Sequence, residues 1–216
     1  QNCFPKGGSN MFQFVQPLEQ RTLFAATGIS ATLSADLSTI HADAKTVRAD
    51  LHTVSKTVGS DVKTIQADLK GSGSSNNKLL VTLRADDARS LAKVTAAQER
   101  YLDTGQALSA IVTAEGKLLA AHSNSNLRSH LASQISKLNS TVADNLATLQ
   151  AAVNTAQTTF NTDVQAIAAA GTSNPTLATD ATTAKNDFGT TTGTYLVAAN
   201  TFKTDTGTLA TDAGTI

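Results

Sequence analysis

Ala35-Asp36-Leu37-Ser38-Thr39-Ile40-His41, Ala42-Asp43-Ala44-Lys45-Thr46-Val47-Arg48 and Ala49-Asp50-Leu51-His52-Thr53-Val54-Ser55 are three successive copies of one seven-residue unit. Four residues follow, Lys56-Thr57-Val58-Gly59, and the unit resumes as Ser60-Asp61-Val62-Lys63-Thr64-Ile65-Gln66 and Ala67-Asp68-Leu69-Lys70. The apolar positions Leu33, Leu37, Ile40, Ala44, Val47, Leu51, Val54, Val58, Val62, Ile65 and Leu69 step by 4, 3, 4, 3, 4, 3, 4, 4, 3 and 4. Strand alternation cannot generate that series; it is the a/d seam of a long helix with one four-residue stutter, which locally relaxes a left-handed supercoil. The repeated Asp falls at g beside the seam, and the outward f position is Ala or Ser, so the outer face is small and weakly charged.

Three more segments of similar length follow. Gly71-Ser72-Gly73-Ser74-Ser75-Asn76-Asn77 breaks the first helix, and its Ser and Asn residues suit a helix start. The next stripe is Leu80, Leu83, Leu91, Val94, Tyr101, Leu108, Ile111 or Val112, Leu118 and Leu119. After the turn His122-Ser123-Asn124-Ser125-Asn126, the third is Leu127, Leu131, Ile135, Leu138, Val142, Leu146, Leu149, Val153, Ala156, Phe160, Val164 and Ile167. Gly171-Thr172-Ser173-Asn174 ends it, with Pro175 at a first helical position. The fourth carries Leu177, Ala181, Ala184, Phe188, Tyr195, Ala198, Phe202, Leu209 and Ile216, but is rich in Thr and interrupted by Gly189, Gly193, Gly207 and Gly214. Each Gly costs about 1 kcal/mol in a helix interior, so this element depends on docking against the others.

The expected fold is all-α: an elongated antiparallel four-helix bundle, up-down-up-down and coiled-coil-like, over residues 29–216, with helices at about 29–70, 77–121, 125–170 and 175–215. Each helix is about 60 Å long at ~1.5 Å per residue. Folding the chain about its turns places Val47, Tyr101, Leu149 and Tyr195 in one mid-bundle layer. A three-helix bundle with a loose fourth segment is the alternative.

Composition narrows function. Lys+Arg and Asp+Glu are each 17, giving zero net charge, which argues against nucleic acid and anionic membrane surfaces as partners. Charged residues are 16% and aromatics 4%, with no Trp, so the core must be aliphatic and its seams thin. No apolar run reaches the ~18 residues of a transmembrane helix. Cys3 is the single cysteine, so no intrachain disulfide can form.

No residue is assigned a catalytic, cofactor-binding or metal-binding role, and an enzyme is not expected. His41 and His52 fall at e and b with no carboxylate completing a ligand set, and His122 and His130 lie near a turn. Di-metal bundles need inward Glu-x-x-His pairs, and none occurs. Glu is confined to Glu19, Glu99 and Glu115. The Gly71–Ser75 run lacks the lysine and the preceding strand of a phosphate loop. Asn139-Ser140-Thr141 fits a glycosylation sequon. No small-molecule substrate is evident.

Residues 1–28 read as a poorly ordered leader, with Met11 as a candidate native start and residues 1–10 set aside from fold reasoning. Within it, Pro17-Leu18-Glu19-Gln20-Arg21-Thr22-Leu23-Phe24-Ala25-Ala26 resembles the short motif L-E-P/Q-R-x-L-L/F-S/A-A found near the start of exported and surface proteins of planctomycete and verrucomicrobial bacteria. It departs from the commonest form at Gln20, Phe24 and Ala25, and covers about ten residues. The resemblance implies export or a cell-surface location, not an activity. The functional expectation is a non-catalytic structural or protein-interaction bundle, with protein partners or self-association. The alternative is an amphipathic protein associating with lipid or granule surfaces. The helical pattern runs to Ile216, as it would in a piece of a longer surface protein.

Overall fold

The computed structural model describes residues 16–70, 74–121, 125–171 and 174–215. Through them run α1 (Gln16–Asp68), α2 (Ser74–Ala121), α3 (Ser125–Ala170) and α4 (Pro175–Ala213). α1 starts ahead of the boundary expected near residue 29, so the leader-like stretch from Pro17 lies on helical backbone. Residues 1–15, with Cys3 and Met11, lie outside the described residues.

The apolar seams account for the packing. Every a/d residue of the α1 repeat is buried except Leu37, which is half-buried against the core. All of the expected α3 stripe is buried or packed on the core. In α2, Val112 rather than Ile111 takes the fully buried position, and Leu102 is buried beside Tyr101. Leu118 and Leu119 carry no side-chain description.

The four helices form an antiparallel bundle whose sides are unequal. α1 packs closely on α4 and α2 closely on α3, while the α1–α2 side is the loosest. α2 and α4 also approach across one diagonal; among the described residues the α1 and α3 backbones stay further apart. Small residues explain that diagonal. Tyr101 of α2 lays its ring edge-on to Phe202 of α4, with centroids 5.1 Å apart, and its hydroxyl donates to the Ala199 carbonyl at 2.5 Å. Gly105, a turn further along α2, leaves the space that the Phe202 ring fills.

The expected mid-bundle layer needs correction on α4. Val47, Tyr101, Leu149 and Tyr195 are all fully buried. The α4 residues that meet Tyr101, however, are Ala199 and Phe202, and Tyr195 lies a turn earlier. Two tyrosine rings would crowd one layer, whereas Ala199 accommodates Tyr101. The buried series in α4 accordingly runs Tyr195, Ala199, Phe202, with Ala198 only partly buried.

α4 is a docked helix, not a loose segment. Asn174 caps it, its Oδ1 accepting from the Thr176 amide at 3.1 Å and the Leu177 amide at 3.4 Å, with Pro175 following. The Asn174 side-chain amide also donates to the Asp68 carbonyl at 3.2 Å, tying the α3–α4 turn to the end of α1. Phe188 stacks edge-on to Phe160 of α3 at 4.8 Å. Thr residues settle locally: Thr179, Thr182, Thr194, Thr201 and Thr208 each donate to the carbonyl four residues back, which spares the helix an unsatisfied hydroxyl.

Candidate functional site

The α1–α4 seam carries the least expected chemistry in the molecule. The Asp that recurs beside the α1 seam meets Asp on α4. Asp36 faces Asp212, Asp43 faces Asp205, Asp61 faces Asp187 and Asp68 faces Asp180. The α1 members are separated by 7, 18 and 7 residues, and the α4 members by 7, 18 and 7. In antiparallel helices these equal intervals hold every pair in register. The 18-residue step contains the α1 stutter and equals five turns of ~3.6 residues, so the rows stay on facing edges across it.

Each pair is electrostatically unfavourable as a dianion. Oδ2 of Asp36, Asp43, Asp61 and Asp68 is buried without a hydrogen-bond donor. Burial, then a hydrogen bond with Asp205 and its charge, pushes the Asp43 carboxyl up to about 6. Burial and then the charge of Asp187 push Asp61 up to about 6. Asp36 is raised by burial, by the charge and hydrogen bond of Asp212, and by Asp205. Asp68, at the end of the row, is raised first by its hydrogen bond with Asp180 and then by burial and charge. Two carboxylates that face each other repel unless one carries a proton, so the rows favour the protonated form, Asp61 and Asp187 acting on each other through charge alone. The α2–α3 seam holds a related pair: Asp163 is raised by burial and by Asp86, and neighbouring Asp87 is pushed up to about 6 by burial.

The second feature is a groove of about 540 Å³ on the loose α1–α2 side. Leu37, Ile40 and Ala44 of α1 and Ala110, Ala114 and Lys117 of α2 line it, with His41 beside them. The facing alanines are too short to close the gap. The groove is open to solvent; Gln106, Ser109 and Thr113 of α2 also line it, and the Ser109 and Thr113 hydroxyls donate to carbonyls of their own helix.

The remaining chemistry-bearing residues are dispersed. His52 is exposed, and His130 is exposed with its ring 3.1 Å from the Gln134 amide. His122, Glu19 and Glu115 have no described side chain. Glu99 pairs with Arg48 across α1 and α2 at 3.5 Å. Asn139 of the sequon lies half-buried within α3, and Thr141 bonds the Lys137 carbonyl. Among the described residues no group of three or more His, Cys, Asp or Glu side chains is placed to hold a metal ion.

The periodicity of Asp is legible in α1, whereas the apolar spacing of α4 alone does not reveal its match. With Asp50 left aside, the Asp residues of both segments are spaced by 7, 18 and 7. No protein-family model, curated protein or solved structure matches the chain.

Proposed function

We propose that this protein is a non-catalytic structural or protein-interaction bundle belonging to an exported or cell-surface protein. The observation that carries the reading is how the helices spend their apolar faces. Aliphatic and aromatic side chains from all four helices form one buried cluster along the bundle, and Val81 and Val197 are the large hydrophobics exposed among the described residues. The outer faces are rich in Thr, Ser and Ala with Lys and Arg among them, which suits a spacer or a flat docking surface. Among the described residues, no helix is long and apolar enough to cross a membrane. The leader-like stretch at residues 17–26 supports export.

Fractionation of the native cells tests the location: the protein is expected in the envelope or the medium, and recovery from the cytosol alone would overturn it. Crosslinking at the cell surface tests the role. Adducts with envelope proteins or with a second copy are expected, and their absence would remove the interaction reading.

A further inference from the structure

We propose that the facing aspartates of α1 and α4 form an acid-tightened latch. In mildly acidic surroundings each pair carries a proton and the seam closes, while at neutral pH and above paired negative charges loosen α4 from α1. Two geometric observations carry this. Equal intervals of 7, 18 and 7 residues on two closely packed antiparallel helices bring the rows into register pair by pair along the seam. Each α1 member also has a buried carboxylate oxygen with no hydrogen-bond partner.

The surroundings supply no compensating charge. On α1, His41 precedes Asp43 by two residues, and Lys45, Lys63 and Lys70 follow Asp43, Asp61 and Asp68 by two. On α4, Lys185 and Lys203 precede Asp187 and Asp205 by two. Two residues are about 200° of helix, which turns these side chains away from the seam. By the same register Asp50, seven residues after Asp43, falls opposite Ala198, which has no carboxyl. From α2, the titratable group near the row is the Tyr101 hydroxyl, which feels Asp43. α3 lies diagonally across the core from α1, and its Asp163 responds to Asp86 of α2. The ion pairs among the described residues are Arg48–Glu99 and Arg89–Asp86, and neither involves the ladder.

The sign follows from linkage. A carboxyl raised on folding binds its proton more tightly in the native state, so its advantage is complete below the unfolded value of 3.8. That advantage is lost as pH rises through about 6, the folded value for Asp43 and Asp61.

Thermal melts of the full chain from pH 4.5 to 7.5, all in EDTA so that no metal ion substitutes for the proton, test the latch. The melting temperature is expected to fall by about 5 °C or more as pH rises, the scale of one to two kcal/mol in a chain of this size. Asp43→Asn with Asp61→Asn should remove most of that fall and melt above the parent at pH 7.5. Asp103→Asn with Asp144→Asn, at exposed positions, should leave it intact. Asp205→Asn should match Asp43→Asn, and the two together should gain little more than either, because repulsion needs both charges. Hydrogen exchange at pH 7.5 should be faster in α4 than in α3 after correction for intrinsic rates, and similar in the two at pH 4.5. A flat or rising melting temperature, a parent-like pH profile in Asp43→Asn/Asp61→Asn, or additive gains within one pair would overturn the latch.

Discussion

Tyr101 and Tyr195 show how the same residue type can serve opposite ends in one core. Both are fully buried. The Tyr101 hydroxyl has a partner, the Ala199 carbonyl, whereas the Tyr195 hydroxyl has none. Burial raises the pKa of both, with the Glu99 charge adding to Tyr195, so each is a neutral phenol at any ordinary pH. Tyr101→Phe should cost about 1 kcal/mol, one neutral hydrogen bond, by chemical denaturation. Tyr195→Phe should cost nothing or raise stability, because it removes a buried group with no partner. Equal losses in the two variants would mean that Tyr195 is bonded after all. Gly105 makes a similar contrast with Gly193. A methyl at Gly105 would run into the Phe202 ring, so Gly105→Ala should lose about 1–2 kcal/mol despite the better helix propensity of Ala. A methyl at Gly193 meets nothing within 4 Å, and Gly193→Ala should gain about 0.5–1 kcal/mol in the same measurement.

At the scale of elements, α4 is helical because of what surrounds it. Its four-residue apolar steps were readable, but its Gly and Thr content argued against a free-standing helix. The structure supplies a capping Asn174, a ring contact from Phe160 and the Tyr101 bond to its backbone. Asn174→Ala should therefore cost about 1–2 kcal/mol, combining the lost cap with the lost tie to Asp68. The readout is a lower denaturation midpoint, with the largest loss of exchange protection in the first turns of α4; a uniform loss along the bundle would contradict the local account. α1, α2 and α3 were legible from their apolar steps because each covers an aliphatic seam almost without interruption. The position of α4 along its neighbours was not, since that depended on which pair of small and large residues could share a layer. Ala199 opposite Tyr101 and Gly105 opposite Phe202 decide it, and periodicity does not rank those pairs against Tyr195 opposite Tyr101.

At the scale of the whole molecule, zero net charge conceals an uneven distribution. Acidic and basic residues balance at 17 each, yet eight of the acids stand in facing rows while most bases point outward. Like-charge pairs therefore outweigh the two ion pairs among the described residues, one of which is half-exposed on both sides. Exposed ion pairs of this kind contribute about 0–1 kcal/mol, too little to offset a row of facing, part-buried carboxylates. Salt then acts in a direction opposite to that in a bundle held by ion pairs. At pH 7.5, raising NaCl to about 1 M shortens the screening length to ~3 Å and weakens repulsion along the seam, so the melting temperature should rise. At pH 4.5 the ladder carries its protons, and the same salt step should give a smaller rise. The difference between the two pH values removes the general effect of salt on apolar burial, which is present in both. An equal response at both pH values would place the dominant electrostatics of the bundle outside the aspartate rows.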